Sequence, residues 1–386
     1  MKEKNKNFQK FIEPLALEGN ENVADFVENV YGNSGYNARK LADACRIFSK
    51  MIRENSTICI TLAGAMTPIG MGGPLIRLVE NGFVDFIIST GANLYHDLHR
   101  AFDYPVMQGS EKVDDERLYR QGISRIYDVF IEDGETLLNT DKCIIDAIRS
   151  THIGGTVSTA ELNNTIGRRV LATAPHPEKS LLATCAKHDV PVYTPAAGDS
   201  SIGMNIVLPY IFGQRVSIDP ILDIIETTAI VAAAEKNGVV VVGGGAPKNF
   251  YLQTQPVLWQ IFMDERGGHD YFIQLTTDSP QWGGLSGATP QEAKSWGKVR
   301  NPHNNATVVY SCASITFPIL AQHALMRNKP RTMKKLYAKR GELVRRLIKK
   351  SVVGNKRLMR RIGRWAKPEK CEEILRYYEK KTEGAC

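Results

Sequence analysis

No stretch of this chain approaches the roughly 18 consecutive apolar residues that a membrane-spanning helix requires. No C-x-x-C pair occurs, and the seven cysteines, at 45, 59, 143, 185, 312, 371 and 386, follow no metal-binding spacing. Their odd number and dispersal exclude a disulfide framework and point to free thiols in a reducing compartment. No G-x-S-x-G is present, since "GLSG" and "DSSIG" both fall short, so an α/β-hydrolase serine is not expected. The opening "MKEKNKNFQKFIEPLALEGN" has early lysines but no clean apolar core, so it does not read as a signal peptide and a cytoplasmic location is expected. Basic charge is also scarce over most of the length. The formal net charge of +8 arises from residues 327–386, which hold 21 Lys and Arg against 6 Asp and Glu, while the remaining 326 residues hold 28 against 35. The body is mildly acidic, and the overall charge says little about its ligands.

Six short, β-rich apolar runs are present: 57–63, 84–90, 190–195, 238–245, 270–276 and 306–312. Helical patterns lie between them, at 37–52, 73–82, 134–150, 177–189, 218–238 and 251–262. Strands alternating with helices predict an α/β fold with a mostly parallel sheet covered by helices on both faces. In such sheets ligands bind at the carboxyl ends of the strands. Five runs are followed by loops rich in Gly, Ser, Thr and Asn: "GAMTPIGMGGP", "TGANLYHDLHR", "AAGDSSIGMN", "GGGAPKN" and "TTDSPQWGGLSGATPQE". Such loops let backbone N–H groups approach phosphates, although none contains G-x-G-x-x-G. Beyond Gln322 the chain turns helical and basic, with Leu336, Leu343, Leu347 and Ile348 placed to form an apolar stripe. This tail reads as solvated amphipathic helices packed on the body, or as an arm for an anionic partner, whether membrane, RNA or acidic protein.

The segment "TPQEAKSWGKVR" (289–300) carries the sharpest chemical question. Thr289-Pro290-Gln291-Glu292 is a capping box with proline at the first helical position. Glu292 therefore either closes the helix N-terminus or holds a cationic substrate. The helix should end near Gly297, leaving Lys298 beside Trp296. An ordinary surface lysine there would have its pKa raised by the helix dipole. A nucleophilic lysine needs desolvation, which an indole wall can supply. His96 and His99 in "HDLH" sit one helical turn apart, but no third metal ligand is evident, so no metal is expected.

In combination, "GFVDFIISTGANLYHDLHR", "GDSSIG", "GGGAPKN", "SGATPQEAKSWGKV" and "VVYSCASITFPIL" resemble the deoxyhypusine synthase family, over about residues 35–327 and in the family's order. The resemblance implies a Rossmann-like, NAD-dependent transferase, usually a homotetramer with active sites shared across a subunit interface. It divides the chain into an N-terminal extension (1–34), the catalytic domain (35–327) and a basic helical tail (328–386). It implies that Lys298 forms an imine with an aminobutyl group and that Glu292 and Trp296 bind substrate. By the same match, Thr90, Asp199, Gly244, Thr277 and Ala313 contact NAD. Asn249 replaces the substrate-binding histidine. Met204, Leu285, Trp282 and Cys312 stand where the family has aspartates, and His96 where it has a glutamate. Two of these lost carboxylates hold the spermidine cation in the family, so the pocket loses charge-assisted contacts. This is the pattern of a divergent, bacterial branch. The expected reaction is aminobutyl transfer between small amines such as putrescine, with homospermidine or a relative as product. Modification of a protein lysine is the second reading. Two other classes stay open: a pyridoxal phosphate enzyme anchored at Lys298, and a non-catalytic nucleotide- or RNA-binding protein acting through the tail.

Overall fold

A computed structural model describes residues 11–151, 153–363 and 367–383. Eleven strands occur among the described residues: β1 Thr57–Leu62, β2 Phe86–Ser89, β3 Val106–Gln108, β4 Ile123–Ile126, β5 Val129–Glu132, β6 Gly155–Val157, β7 Val192–Tyr193, β8 Val216–Ile218, β9 Asn237–Val242, β10 Tyr271–Thr276 and β11 Ala306–Tyr310. Six of them form one parallel sheet in the order β11-β10-β9-β1-β2-β7. These are the six runs expected from the sequence. Numbered by chain order within this sheet, they read 3-2-1-4-5-6 from β7, the Rossmann-like doubly wound order. The chain reverses its direction of winding between β1 and β9, so the loops after those two strands flank the topological switch point.

The apolar runs are continuous because both faces of the sheet are covered. Val240 and Val242 of β9 pack with Ile58, Ile60 and Leu62 on one face. Val239 and Val241 pack with Cys59, Phe86 and Ile88 on the other. The helix Tyr36–Arg53 covers the first face with Leu41, Ala44, Cys45, Phe48, Met51 and Ile52, all buried at helical spacing. The helices Pro220–Ala233 and Gly245–Pro256 cover the second.

That second face is completed by the basic tail. Leu336, Leu343, Leu347 and Ile348, the four residues of the expected stripe, are all buried in the same cluster as the β9 valines. Arg340 reaches Glu226 on the helix beneath it, Nε to Oε2 3.2 Å, and Tyr378 of the helix Cys371–Glu383 donates to the other carboxylate oxygen at 2.9 Å. At the other end of the chain, the helix Val23–Asn29 packs on Ala313–Arg327, where Glu28 binds both His323 (3.0 Å) and Arg327 (2.9 Å).

Two small sheets escape the sequence pattern. Strands β3, β5 and β4 form an antiparallel sheet, and β6 pairs with β8 in parallel. They are three or four residues long and mostly half-exposed, too short for a period to emerge.

Candidate active site

The segment around Lys298 is a short helix, Pro290–Ser295, tightly held at both ends. Thr289 caps it, its Oγ1 accepting from Glu292 N–H at 3.1 Å. The reciprocal half of the capping box is absent: among the described residues the Glu292 carboxylate accepts no hydrogen bond, and it lines a cavity instead. Gly297, with φ 68°, ends the helix in the left-handed conformation expected of a C-terminal glycine. Trp259 donates its indole N–H to the Trp296 carbonyl at 3.2 Å. Lys298 N–H donates to Ala293 O, and the Lys298 carbonyl accepts from His269 N–H, both at 2.9 Å. The lysine backbone is thus fixed from two sides.

Its side chain is half-buried. The ammonium lies 5.5 Å from the Trp296 ring centroid, within cation–π range, and 3.5 Å from Asn249 Oδ1. Burial lowers the Lys298 pKa, with Glu292 opposing. Desolvation therefore outweighs the upward pull of Glu292, and favours the neutral amine a nucleophile requires. The cavity has a volume of about 310 Å³ and includes Lys248, Asn249, Leu285, Glu292, Trp296 and Lys298 in its wall. Among the described residues, Glu292 is the one carboxylate in that lining.

Lys248 went unnoticed in the sequence. It is 1 % exposed and donates to the carbonyls of Ser286 (3.0 Å) and Ala288 (2.6 Å), fastening the 283–289 loop to the helix Gly245–Pro256. Burial pushes its pKa down to about 8, against the pull of Glu292 and Asp278. The available signal was helical spacing: Lys248 shares one buried stripe with Tyr251, Leu252 and Gln255.

The residues matched to cofactor contacts lie elsewhere, along the carboxyl edge of the sheet. Thr90 precedes the helix Gly91–Ala101 after β2, its Oγ1 bonded to Gly64 O at 2.7 Å. Asp199 is exposed in the turn after β7, Gly244 precedes Gly245–Pro256 after β9, and Thr277 is exposed just after β10. Ala313 opens the helix Ala313–Arg327 after β11. None of the five lines the lysine cavity. The helices that begin at Gly91, Gly245 and Ala313 have no cap from the side chain of their own N-cap residue. Their first N–H groups form an anion-binding edge, with Gly245 N–H partly engaged by Ser286 Oγ at 2.9 Å. A Cβ on Gly244 would come within 2.6 Å of Ser286, so a close backbone approach is built in here. These features fit a pyrophosphate-bearing dinucleotide. Buried Asn93 organises the edge: its Oδ1 accepts from Met66 N (2.6 Å) and Thr67 N (3.2 Å) of the loop after β1.

His96 and His99 spend their ring nitrogens on each other and on the protein. His96 Nδ1 lies 2.9 Å from His99 Nε2, and His99 Nδ1 lies 2.8 Å from Thr140 Oγ1. Burial pushes their pKa values down, to about 4 and about 3. Among the described residues no group of three or more His, Cys, Asp or Glu could hold a metal ion. Of the positions that depart from the family pattern, Met204, Trp282, Leu285 and Cys312 are exposed, and Asn249 is half-buried.

A doubly wound parallel sheet with three helix N-termini left without a side-chain cap along its carboxyl edge, and a half-buried lysine beside a tryptophan, are what the fold and the site define. Residues 26–324 match the deoxyhypusine synthase family, and the chain belongs to it. It is 41% identical over 349 residues to a deoxyhypusine synthase-like protein of Thermosynechococcus vestitus, covering 87% of this chain and 86% of that one. It is 40% identical over 312 residues to a probable deoxyhypusine synthase 2 of Methanosarcina acetivorans, covering 79% and 87%. The fold resembles the crystal structure of a putative deoxyhypusine synthase from Entamoeba histolytica, with a TM-score of 0.53 at 17% identity, over 83% of this chain and 99% of that one. Membership of the family implies an aminobutyl transferase.

Proposed function

We propose that the protein is an NAD-dependent aminobutyl transferase that works through an imine on Lys298 and takes small amines as substrates. The observation that carries this reading is the state of Lys298: fixed backbone, half-buried ammonium over Trp296, and a pKa lowered by burial. Gly244 and the N–H groups beginning at Gly91, Gly245 and Ala313 would hold the cofactor's phosphates, with Thr90, Asp199 and Thr277 around them. Bound NAD supplies reversible hydride acceptance, which makes an otherwise inert amine carbon electrophilic and is restored at the end, leaving no net redox change.

The chain's own residues do the rest. Lys298, as the neutral amine, attacks that carbon, and the donor's leaving amine departs with a proton. The butylamine group is then held as a lysine imine. Glu292 pairs with the terminal ammonium of the held group, and Trp296 lines its path by cation–π contact. An acceptor amine displaces Lys298, which regains its starting state. With Glu292 as the single carboxylate of the cavity wall, the site suits a substrate that presents one ammonium there. Exposed Leu285 adds an apolar wall where the family holds a cation. This supports putrescine-like acceptors and a homospermidine-type product.

Membership of the family supports a site completed across a subunit interface, as in a homotetramer. The exposed apolar run Met204, Val207, Leu208, Tyr210, Ile211 and Phe212, just beyond Asp199, offers a contact surface for it. A second reading, modification of a protein lysine, is favoured by the naming of archaeal relatives as probable deoxyhypusine synthases. The test is incubation with NAD and a panel of putrescine, spermidine and agmatine, followed by mass spectrometry of the products and of the Lys298 peptide. An aminobutyl adduct on Lys298 with a new polyamine is expected. Failure of every amine pair to yield product or adduct would overturn the small-amine reading.

A further inference from the structure

The tail raises a question that the transfer reaction leaves unanswered. Residues 343–368 contain ten Lys and Arg and no Asp or Glu. If the tail served only to cover the sheet, its apolar stripe would suffice, and its outer face could carry mixed charge as the body does. Instead every exposed side chain of residues 345–361 other than Val353 is Lys or Arg. Lys349, Lys356, Arg357 and Arg360 are exposed and make no ion pair among the described residues. Arg345, Arg346 and Lys350 have only loose surface partners, at 3.5 Å to Glu379, 3.8 Å to Glu342 and 3.5 Å to Asp264. Such contacts are worth little and are easily exchanged.

The way the tail is docked narrows the partner. Leu343, Val344, Leu347, Ile348 and Leu358 are buried. The face with which an amphipathic helix would enter a lipid surface is therefore occupied. The tail is also tied to the body by hydrogen bonds. Asn355 donates to Phe262 O at 2.6 Å, Arg361 to Gln260 O at 3.0 Å and Ser351 to Asp264 Oδ2 at 2.7 Å. The helix Lys356–Ile362 is short and lies against the body, whereas duplex readers insert a projecting helix into the major groove. A ridge of docked cations suits a flexible strand whose phosphates can follow it.

We propose that the outer face of residues 345–361 is a binding surface for single-stranded nucleic acid, contacted through its backbone phosphates. The contact is electrostatic and indifferent to sequence. RNA and DNA strands should bind within a few-fold of each other, because residues 345–361 contain no aromatic side chain on which a base could stack.

Fluorescence anisotropy of the full chain with a labelled single strand of about 20 nucleotides tests this. If four unpaired cations each meet a phosphate, affinity should fall about 50-fold between about 50 and 200 mM salt. The combined variant Lys349→Glu, Lys356→Glu, Arg357→Glu and Arg360→Glu should bind at least about 100-fold more weakly. Polyglutamate, phosphatidylserine vesicles and duplex DNA serve as competing partners, and each should bind less tightly than the strand. The proposal is overturned by a salt-independent affinity in the unsubstituted chain, by undiminished binding in the variant, or by equal binding of any competitor. The salt dependence needs no substitution, so it stands even if the variant folds poorly.

Discussion

Replacing Arg340 with methionine removes the cation from a buried cluster that joins the tail to the body. Glu226 has no exposed side-chain surface, and its partners are Arg340 at 3.2 Å, Tyr193 OH at 3.0 Å and Tyr378 OH at 2.9 Å. The Arg340 guanidinium stacks 3.6 Å above the Tyr337 ring centroid. At the observed 3.2 Å separation, the charge pair is worth about 5 kcal/mol at an effective dielectric of about 20. Part of that is returned because the arginine need no longer be desolvated, whereas the carboxylate stays buried with two phenols. Loss of one partner of a buried pair typically destabilises by about 3–5 kcal/mol, and that is the magnitude expected for Arg340→Met. Urea unfolding followed by circular dichroism measures it, and limited proteolysis reports whether the tail detaches first. Adding Glu226→Gln should recover at least half of the loss, because the amide oxygen still accepts from one tyrosine, the amide N–H donates to the hydroxyl oxygen of the other, and no orphaned charge remains. A loss below about 1 kcal/mol with an unchanged protease pattern would refute the view that this cluster locks the tail onto the sheet.

Three further outcomes are expected. Lys298→Arg should abolish both group transfer and the adduct on the 298 peptide, because a guanidinium does not form the imine; full transfer by this variant would remove Lys298 from the mechanism. Gly244→Ala should destabilise the chain by about 1–3 kcal/mol and weaken NAD binding in equilibrium dialysis at least tenfold, because the added Cβ meets Ser286 at 2.6 Å and pushes the 283–289 loop away. The histidine pair should make stability fall with acidity: half-buried His96 and buried His99 stay neutral down to about 4 and about 3 in the fold, while the unfolded chain takes up protons near pH 6.5. Their contribution is whole above about 6.5 and is lost as pH falls through the folded values. Burial raises Asp97 to about 6 and Asp223 to about 8, which acts in the opposite direction, so urea midpoints from pH 7 to pH 4 are compared with those of the His96→Gln, His99→Gln variant, and an equal shift in both would contradict it.

Much of the α/β architecture was legible because burial on both faces writes itself into a strand as an unbroken apolar run, as in Val239–Val242. The helix Tyr36–Arg53 was equally plain, since one buried stripe repeats every three or four residues. The lysine segment was legible through local chemistry: threonine, proline and glycine in "TPQEAKSWGK" specify a capped helix and its stop without reference to the rest of the chain, whereas the glutamate read as part of the cap turned to the cavity. The strands β3 to β5 were not, being short and half-exposed, with partners supplied by tertiary contact.

The sequence by itself determined which segments become strands and helices, where the glycine-rich turns fall, and that Lys298 follows a tryptophan at a helix end. Periodicity and turn chemistry are local, and each is set by a few neighbouring residues. Only the tertiary structure decided the environment of each charge. It desolvated Lys298, buried Lys248 against two carbonyls and paired Arg340 with a glutamate 114 residues earlier. It also turned two histidines toward each other and brought Glu292, Trp296 and Lys298 into one cavity wall with Lys248 and Asn249. A side chain's charge state depends on which distant atoms exclude water from it, and that is fixed by packing rather than by sequence spacing.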